Sequence, residues 1–462
     1  MKRQICSILL FIFCVTLQAQ LVTYPEGLKA NMPHNDDYTV RVRIPGGEWE
    51  DLFEYNVQVD MDAVQNASMV QFDMNGTVEV MVKKNNGTVR EVDIRPLSCN
   101  IQYRQNKNVI TFMLDKPQYL SVEFNGDRLH NLHLFANPLE TEVYKKAEKG
   151  IMYFGPSVHA PLDLPNNLIR VPGNTTVYLA PGAVLKAKLL VDGVENVRII
   201  GRGILAHPVR GIEVTNAKNV LIDGITVVNP NHYTMFGAGT KGLTVKNLKS
   251  FSCKSWSDGI DLMCCRDVLI DNVFMRNSDD CIALYNHRWN WWGGSGNITV
   301  QNAVLWADIA HPINIGGHGD PESPVGEVME NLTFRQIDIL EHDEDDVPYQ
   351  GCMAIDCGDK NLVRNVLFED IRVESIQEGR LFHLNVRFNE KYDKAPGRGI
   401  ENVTFRNITY DGLGENPSLI KGFDNSRKVK NVIFDNVVIN GQRMTDLNGF
   451  VKNEFVEDIR VR

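Results

Sequence analysis

From residue 195 onward the chain returns to one short phrase in which apolar and polar positions alternate. It starts at Glu195 (ENVRIIGRGIL), Lys218 (KNVLIDGITVV), Lys241 (KGLTVKNLKSF), Arg266 (RDVLIDNVFMR) and Gly296 (GNITVQNAVLW). It continues at Glu330 (ENLTFRQIDIL), Arg364 (RNVLFEDIRVE), Glu401 (ENVTFRNITYD) and Lys430 (KNVIFDNVVIN). Period-two alternation rich in Val, Ile, Phe and Thr predicts a strand with one buried face. The second residues of the nine phrases are spaced 23, 23, 25, 30, 34, 34, 37 and 29 apart. Several repeats add a second short run: GIDLM at 259, CIALY at 281, PINIG at 312, MAIDC at 353 and LFHLN at 381. A unit of short strands cannot bury its own face, but stacked units share a continuous core. The expected fold is all-β, a right-handed parallel β-helix over 151–462, and the longer spacings mark loops inserted in the central coils. The leucine-rich consensus and the Trp-Asp propeller signature are both absent.

Residues 21–150 alternate without that repeat. Runs such as TVRVRI, NVQVDM, TVEVMVK, NVITFML and YLSVEF are separated by turns at Asn75-Gly76, Asn86-Gly87 and Asn125-Gly126. This predicts an N-terminal antiparallel β-sandwich domain. A short helical or irregular stretch near 138–150 should lead into the β-helix, and the tail after about 441 should cap its last coil. Residues 1–20 read as a signal peptide: Lys2 and Arg3 precede an apolar core from Ile8 to Val15, and Ala19 offers a cleavage point. Bulky Phe13 before Cys14 argues against lipidation. The protein is therefore expected to be exported, with no membrane span in its mature part.

Composition narrows the partners. Hydrophobic residues at 43% and charged residues at 23% are ordinary for a globular chain. A formal charge of -10 argues against nucleic acid as a partner. Seven cysteines lie beyond the signal segment, with no CxxC pair. Small buried core residues are expected, with one disulfide at most. A monomer is expected.

The candidate chemistry lies in three successive second strands: Ser255-Trp256-Ser257-Asp258-Gly259-Ile260-Asp261, then Asn277-Ser278-Asp279-Asp280-Cys281, then Ala310-His311-Pro312-Ile313. If Ile260, Ile282 and Ile313 point inward, Asp258, Asp280 and His311 share one place on consecutive coils, ~4.8 Å apart. Asp279 stands beside them and Asp261 faces outward. A lone Asp commonly caps a turn. Several carboxylates crowded together repel, which raises one pKa and leaves another group ionised. A glycosidase needs that division: a protonated acid for the leaving oxygen and a carboxylate for the water. Calcium is the alternative for such a cluster, but His311 is a poor calcium neighbour, so no metal and no cofactor is expected.

These residues resemble the inverting β-helix glycoside hydrolases of family 28, the polygalacturonases and relatives, and of family 49, dextranase and isopullulanase. The family 28 pattern is Asn-Thr-Asp-Gly-x-Asp, Asp-Asp-Cys, Gly-His-Gly and Arg-x-Lys. The first stands here as Trp256-Ser257-Asp258-Gly259-Ile260-Asp261, and the second is intact as Asp279-Asp280-Cys281. The resemblance implies Asp279 as general acid, with Asp258 and Asp280 holding and deprotonating a water. The layout of a sandwich before the helix resembles family 49 more closely. For the third motif His311 fits the strand register, while His318 stands in a literal Gly317-His318-Gly319. The fourth motif fails, because Ala354 and Asp356 replace the cations that hold a uronate carboxylate. Asp356 and the acidic loop His342–Asp346 therefore predict a neutral α-linked glycan, dextran-like or galactose-containing. A pectin-type galacturonidase is the alternative, with Arg288, Arg380 or Arg387 as a replacement cation. Trp289 and Trp292, in the insertion after the double-Asp strand, are candidate sugar platforms together with His232-Tyr233. A lyase or epimerase on this fold lacks an evident base, and a glycan-binding β-helix without activity is the non-enzyme reading.

Overall fold

The computed structural model describes residues 19–25, 32–161, 164, 167–412 and 416–462. The expected signal segment lies outside the described residues except for 19 and 20. The N-terminal part packs two sheets face to face. One holds Gln20–Thr23, Tyr55–Val59, Gln65–Asn75, Val92–Arg95, Gln118–Phe124 and Asp127–Pro138. The other holds Tyr38–Arg43, Glu50–Asp51, Val78–Lys84, Tyr103–Asn106 and Val109–Leu114. Asn125 and Gly126 both have positive φ and make the tight turn of a hairpin, as an Asn-Gly pair favours. The expectation of an antiparallel sandwich needs one correction: Asp127–Pro138 runs parallel to Gln65–Asn75. These two long strands are buried on both faces over most of their length. Val70, Phe72, Leu132 and Leu134 face the sandwich core. Ala67, Met69 and Phe135 face the β-helix, where they pack with Phe251, Phe274 and Trp306. Polar residues on that second face, Asp73, Asn131 and Asn137 among them, accept from Arg202, Arg276 and Lys249 of the β-helix.

The interface between the two parts also holds buried charge. Arg276 is fully buried, pairs with Asp308 at 3.0 Å, donates to Asn131 Oδ1 at 3.0 Å and stacks on the Trp306 ring at 3.9 Å. Removing one partner from such a pair costs about 3–5 kcal/mol, because the other charge stays buried.

The first β-helix strand begins at Ile151, and the coils stack in parallel. The nine phrase starts pair in sequence order from Glu195 to Lys430. The reason is visible in each phrase. Its second residue turns a corner in the left-handed region: Asn196, Asn219, Gly242, Asp267, Asn297, Asn331, Asn365, Asn402 and Asn431 all have positive φ. Asn and Gly tolerate that backbone best. The Asn side chains also bond from coil to coil, as Asn331 to Asn297 at 3.1 Å and Asn365 to Asn331 at 3.2 Å. Inside, Phe334, Phe368, Phe405 and Phe434 stack with ring centres 4.9–5.1 Å apart. The tail does more than cap: Val456–Val461 pairs in parallel with Val429–Ile439 as a further rung. The stretch between Pro138 and Ile151 is irregular rather than helical. All seven described cysteines are free, and no disulfide joins any of them. Cys265, Cys281, Cys352 and Cys357 are buried as small core residues.

Candidate active site

The second strands form a separate eleven-stranded parallel sheet that contains Ile260–Met263, Ile282–Tyr285, Ile313–Ile315 and Met353–Cys357. Its register pairs Ile260 with Ile282 and Ile282 with Ile313. Just upstream, Gly259 N–H donates to Asp280 O and Cys281 N–H to His311 O, each at 2.8 Å. Asp258, Asp280 and His311 therefore stand level on consecutive coils. Asp258, Asp279 and Asp280 each bring a carboxylate oxygen within 4.8 Å of the others.

The surroundings divide these acids. Asp280 is buried and accepts four hydrogen bonds: from His311 Nδ1 at 2.7 Å, His311 N–H at 3.1 Å, Asn314 Nδ2 at 2.7 Å and Tyr285 Oη at 3.3 Å. Burial alone would push its pKa up; the facing imidazolium and these donors outweigh burial and hold it below the usual carboxylate range. Burial opposes charge on His311 too, but the Asp280 carboxylate overrides it and raises that pKa to about 9. His311 Nε2 meets the Tyr349 carbonyl oxygen at 2.5 Å, so both ring nitrogens face acceptors, as a charged imidazole requires. Asp279 faces the cleft. Burial and then the Asp280 charge push it up to about 6, against two N–H donors, Trp256 at 2.9 Å and Asp280 at 3.0 Å. Asp258 and Asp261 are raised well above the usual range, first by burial and then by neighbouring charges. Asp261 does face the outer side of its strand, but it is fully buried, with the Asp258 carboxyl as its hydrogen-bonding neighbour. The rings of Tyr233, Phe236 and Tyr285 crowd that outer face.

A cavity of about 440 Å³ opens over these acids. Besides Asp258, Asp279 and Asp280, its walls include Tyr233, Tyr285, Tyr349, Tyr392, Trp256, Arg288, Lys391 and the acidic run Glu344, Asp345 and Asp346. Both histidine candidates come to this region, in different places. His318 lines the cavity, where burial and then Arg288 pull its pKa down to about 3, so it is neutral. His311 is fully buried behind Asp280.

Two expectations are corrected here. Asp356 does not meet the substrate space. It is fully buried, with Arg387 at 3.3 Å and His383 at 3.2 Å. Burial lowers the pKa of His383, leaving that ring neutral, so Arg387 is the charge partner that keeps Asp356 ionised. A sealed, neutralised carboxylate cannot repel a uronate in the cavity. Nor do Trp289 and Trp292 line it. Trp289 packs against Phe236 and Tyr233 at 5.6 and 6.1 Å, and Trp292 sits on the small hairpin with His287. Trp256, 67% exposed, is the tryptophan on the cavity wall. Tyr349, Tyr392 and Met61 were not foreseen. Tyr349 and Tyr392 reach the site from irregular loops, where no alternation marks them, and Met61 ends the alternating run NVQVDM at the tip of a hairpin. Asn314 had a signal: it is the outward polar residue in the strand after His311.

Comparison with known proteins agrees with this arrangement. The sequence profile described as "Glycosyl hydrolases family 28" matches residues 178–454. "Probable endopolygalacturonase D" of Neosartorya fischeri is 24% identical over 247 residues, covering 53% of this chain and 46% of that protein. "Probable endo-xylogalacturonan hydrolase A" of Aspergillus fumigatus is 25% identical over 170 residues, 35% of this chain and 38% of that protein. The chain thus spans less than half the length of these curated relatives. Among solved structures, Dex49A from Penicillium minioluteum superposes with a TM-score of 0.62 at 15% identity, over 96% of both chains. That likeness of fold takes in the sandwich as well as the β-helix.

Proposed function

The chain belongs to glycosyl hydrolase family 28, and on that premise we propose that it hydrolyses a glycosidic bond in a galacturonate-containing polysaccharide, with inversion. The observation that carries the reading is the unequal state of two neighbouring carboxyls. Asp279, raised to about 6, faces the cavity as the proton donor to the leaving oxygen. Asp280, held ionised by His311, takes the proton of the attacking water. Asp258 helps to hold that water. Inverting pairs usually stand about 6.5–9.5 Å apart with the water between them. The three acids here approach within 4.8 Å at their nearest oxygens. On this reading the attacking water sits at the rim of the triad, against Asp280 and Asp258, rather than between acid and base. The anomeric form of the first product, followed by NMR, tests this: inversion is expected, and retention would sink the scheme.

The substrate class rests on Arg288. Its guanidinium lines the cavity, beside the rings of Trp289 at 5.1 Å and Tyr285 at 5.8 Å. Among the described residues it forms no ion pair within 4 Å, and the carboxylates whose charge it feels are Asp261 and Asp258 at the base of the site. A planar fork held this way suits a substrate carboxylate. The names of the two fungal relatives point to the same polymer class. A neutral glycan remains the second reading, because Glu344, Asp345 and Asp346 line the same cavity. Burial raises Glu344 to about 7, which blunts part of that repulsion. The test is reducing-sugar release from polygalacturonate, dextran, pullulan and arabinogalactan by the wild type, Asp279→Asn and Arg288→Gln. Release from polygalacturonate that falls at least about tenfold in Arg288→Gln supports the uronate reading. Release from a neutral glycan, indifferent to Arg288, replaces it with the second.

A further inference from the structure

Among the described residues, the sandwich domain reaches into the cavity at the tip of the hairpin between Tyr55–Val59 and Gln65–Asn75. Three consecutive backbone groups of this tip are tied to three coils of the β-helix. Val59 O accepts from Cys253 Sγ at 3.4 Å, Asp60 N–H donates to Asp308 Oδ2 at 3.1 Å, and Met61 N–H donates to Ser278 Oγ at 3.0 Å. The turn is self-braced, since Asp60 Oδ1 accepts from the N–H groups of Asp62 and Ala63 at 3.1 and 3.0 Å. Asp60 itself has a φ of +58. Its anchor Asp308 is held in the buried pair with Arg276. The tip is thus a fixed wall of the catalytic domain.

The wall stands on one side of the triad. Ser278 immediately precedes Asp279. Ser255 Oγ lies 3.3 Å from Met61 Sδ, and the next residue, Trp256, donates its N–H to Asp279 Oδ2. Met61 and Trp256 both line the cavity beside Asp279. A general acid sits next to the oxygen it protonates, which belongs to the departing sugar. We infer that Met61, carried by the sandwich domain, is a specificity-determining residue of the leaving-group subsite. There its thioether and the Trp256 ring offer an apolar surface to the C–H face of the departing sugar. The domain whose place in the fold looked like that of an appendage would then help to choose what is cleaved.

This inference rests on Asp279 as the acid, so its test separates the two. The rate constant kcat/KM is measured on a trisaccharide and on the 4-nitrophenyl glycoside of the same sugar. Trigalacturonate is used, or isomaltotriose if the screen returns a neutral glycan. The aryl glycoside has no departing sugar. In Met61→Ala the ratio of trisaccharide to aryl glycoside should fall roughly tenfold, mainly through KM. A variant with residues 60–64 replaced by an Asn-Gly turn should lower it further. Val64→Ala, on the same tip, 51% exposed and outside the cavity wall, should leave it unchanged. Equal thermal midpoints confirm that the variants fold. A wild type active on both substrates, with the ratio unmoved by Met61→Ala and by the shortened turn, overturns the inference alone. Activity that survives Asp279→Asn on the trisaccharide overturns the acid assignment and the inference with it.

Discussion

Replacing His311 by Asn should change how stability depends on pH in a calculable way. His311 and Asp280 are both buried, 2.7 Å apart, and the carboxylate raises the imidazole from 6.5 to about 9. At about 1.4 kcal/mol per decade of proton affinity, that rise is worth about 3 kcal/mol. A folded pKa above the unfolded one gives stability that is fully present below pH 6.5 and lost as pH climbs through about 9. Between those values the unfolded chain has already released the proton and the folded chain still holds it. Other groups titrate in the same window. Lys249 is fully buried, and burial lowers it to about 7. Folding therefore disfavours its charge, and stability from that group rises with pH above 7. Glu140 and Glu344, each raised to about 7 by burial, add slopes of their own. The raw pH profile of the wild type mixes all of these. The difference between wild type and His311→Asn isolates the one pair, since Asn keeps a donor near Asp280 but carries no charge. Urea unfolding at pH 6, 7.5 and 9.5 supplies the free energies. The wild type should exceed the variant by about 3 kcal/mol at pH 6, and the gap should close by pH 9.5. A gap that stays constant across this range would show that the imidazole is neutral in the folded protein, and the argument for an ionised Asp280 would fall with it.

The site and the scaffold yield three further expectations. Asp279→Asn should lower kcat on a polysaccharide by about 10²–10⁴-fold, and by far less on an aryl glycoside whose leaving group needs no proton; equal losses on both would refute the acid role. In the wild type, kcat/KM should fall as pH rises through about 6, where Asp279 loses its proton, and should fall on the acid side only below the ordinary carboxylate range, where Asp280 gains one; a stopped pH series on one soluble oligosaccharide reads both limbs. On the scaffold, Asn331 has a φ of +60, donates to Asn297 and accepts from Asn365. Asn331→Ala should destabilise the coil stack by about 1–2 kcal/mol from the left-handed backbone alone, and Asn331→Gly by less; denaturant midpoints that rank the two the other way would show that the side-chain ladder outweighs the backbone.

Much of this was legible in the chain itself. The nine phrases fixed the coils and their register, because each places an Asn, Asp or Gly at a left-handed corner and then alternates with period two. A slip of one residue would turn every buried side chain outward, so the pattern admits one alignment. That alignment carried Asp258, Asp280 and His311 to the same level, and the geometry of the acids followed from it. Other features belong to the tertiary structure alone. Whether Asp356 meets substrate depends on Arg387, thirty-one positions further along and brought beside it by the coil. Which tryptophan lines the cavity depends on how an insertion folds over Phe236, and alternation says nothing about that. That two strands of the sandwich are buried on both faces is not legible in them, since they keep polar residues such as Gln71, Asp73, Asn131 and His133, and the partner that covers the second face lies in another part of the chain. The arrival of Met61 at the catalytic cavity is a contact across more than two hundred residues. Local periodicity encodes which face of a strand is buried; it does not encode which distant surface does the burying.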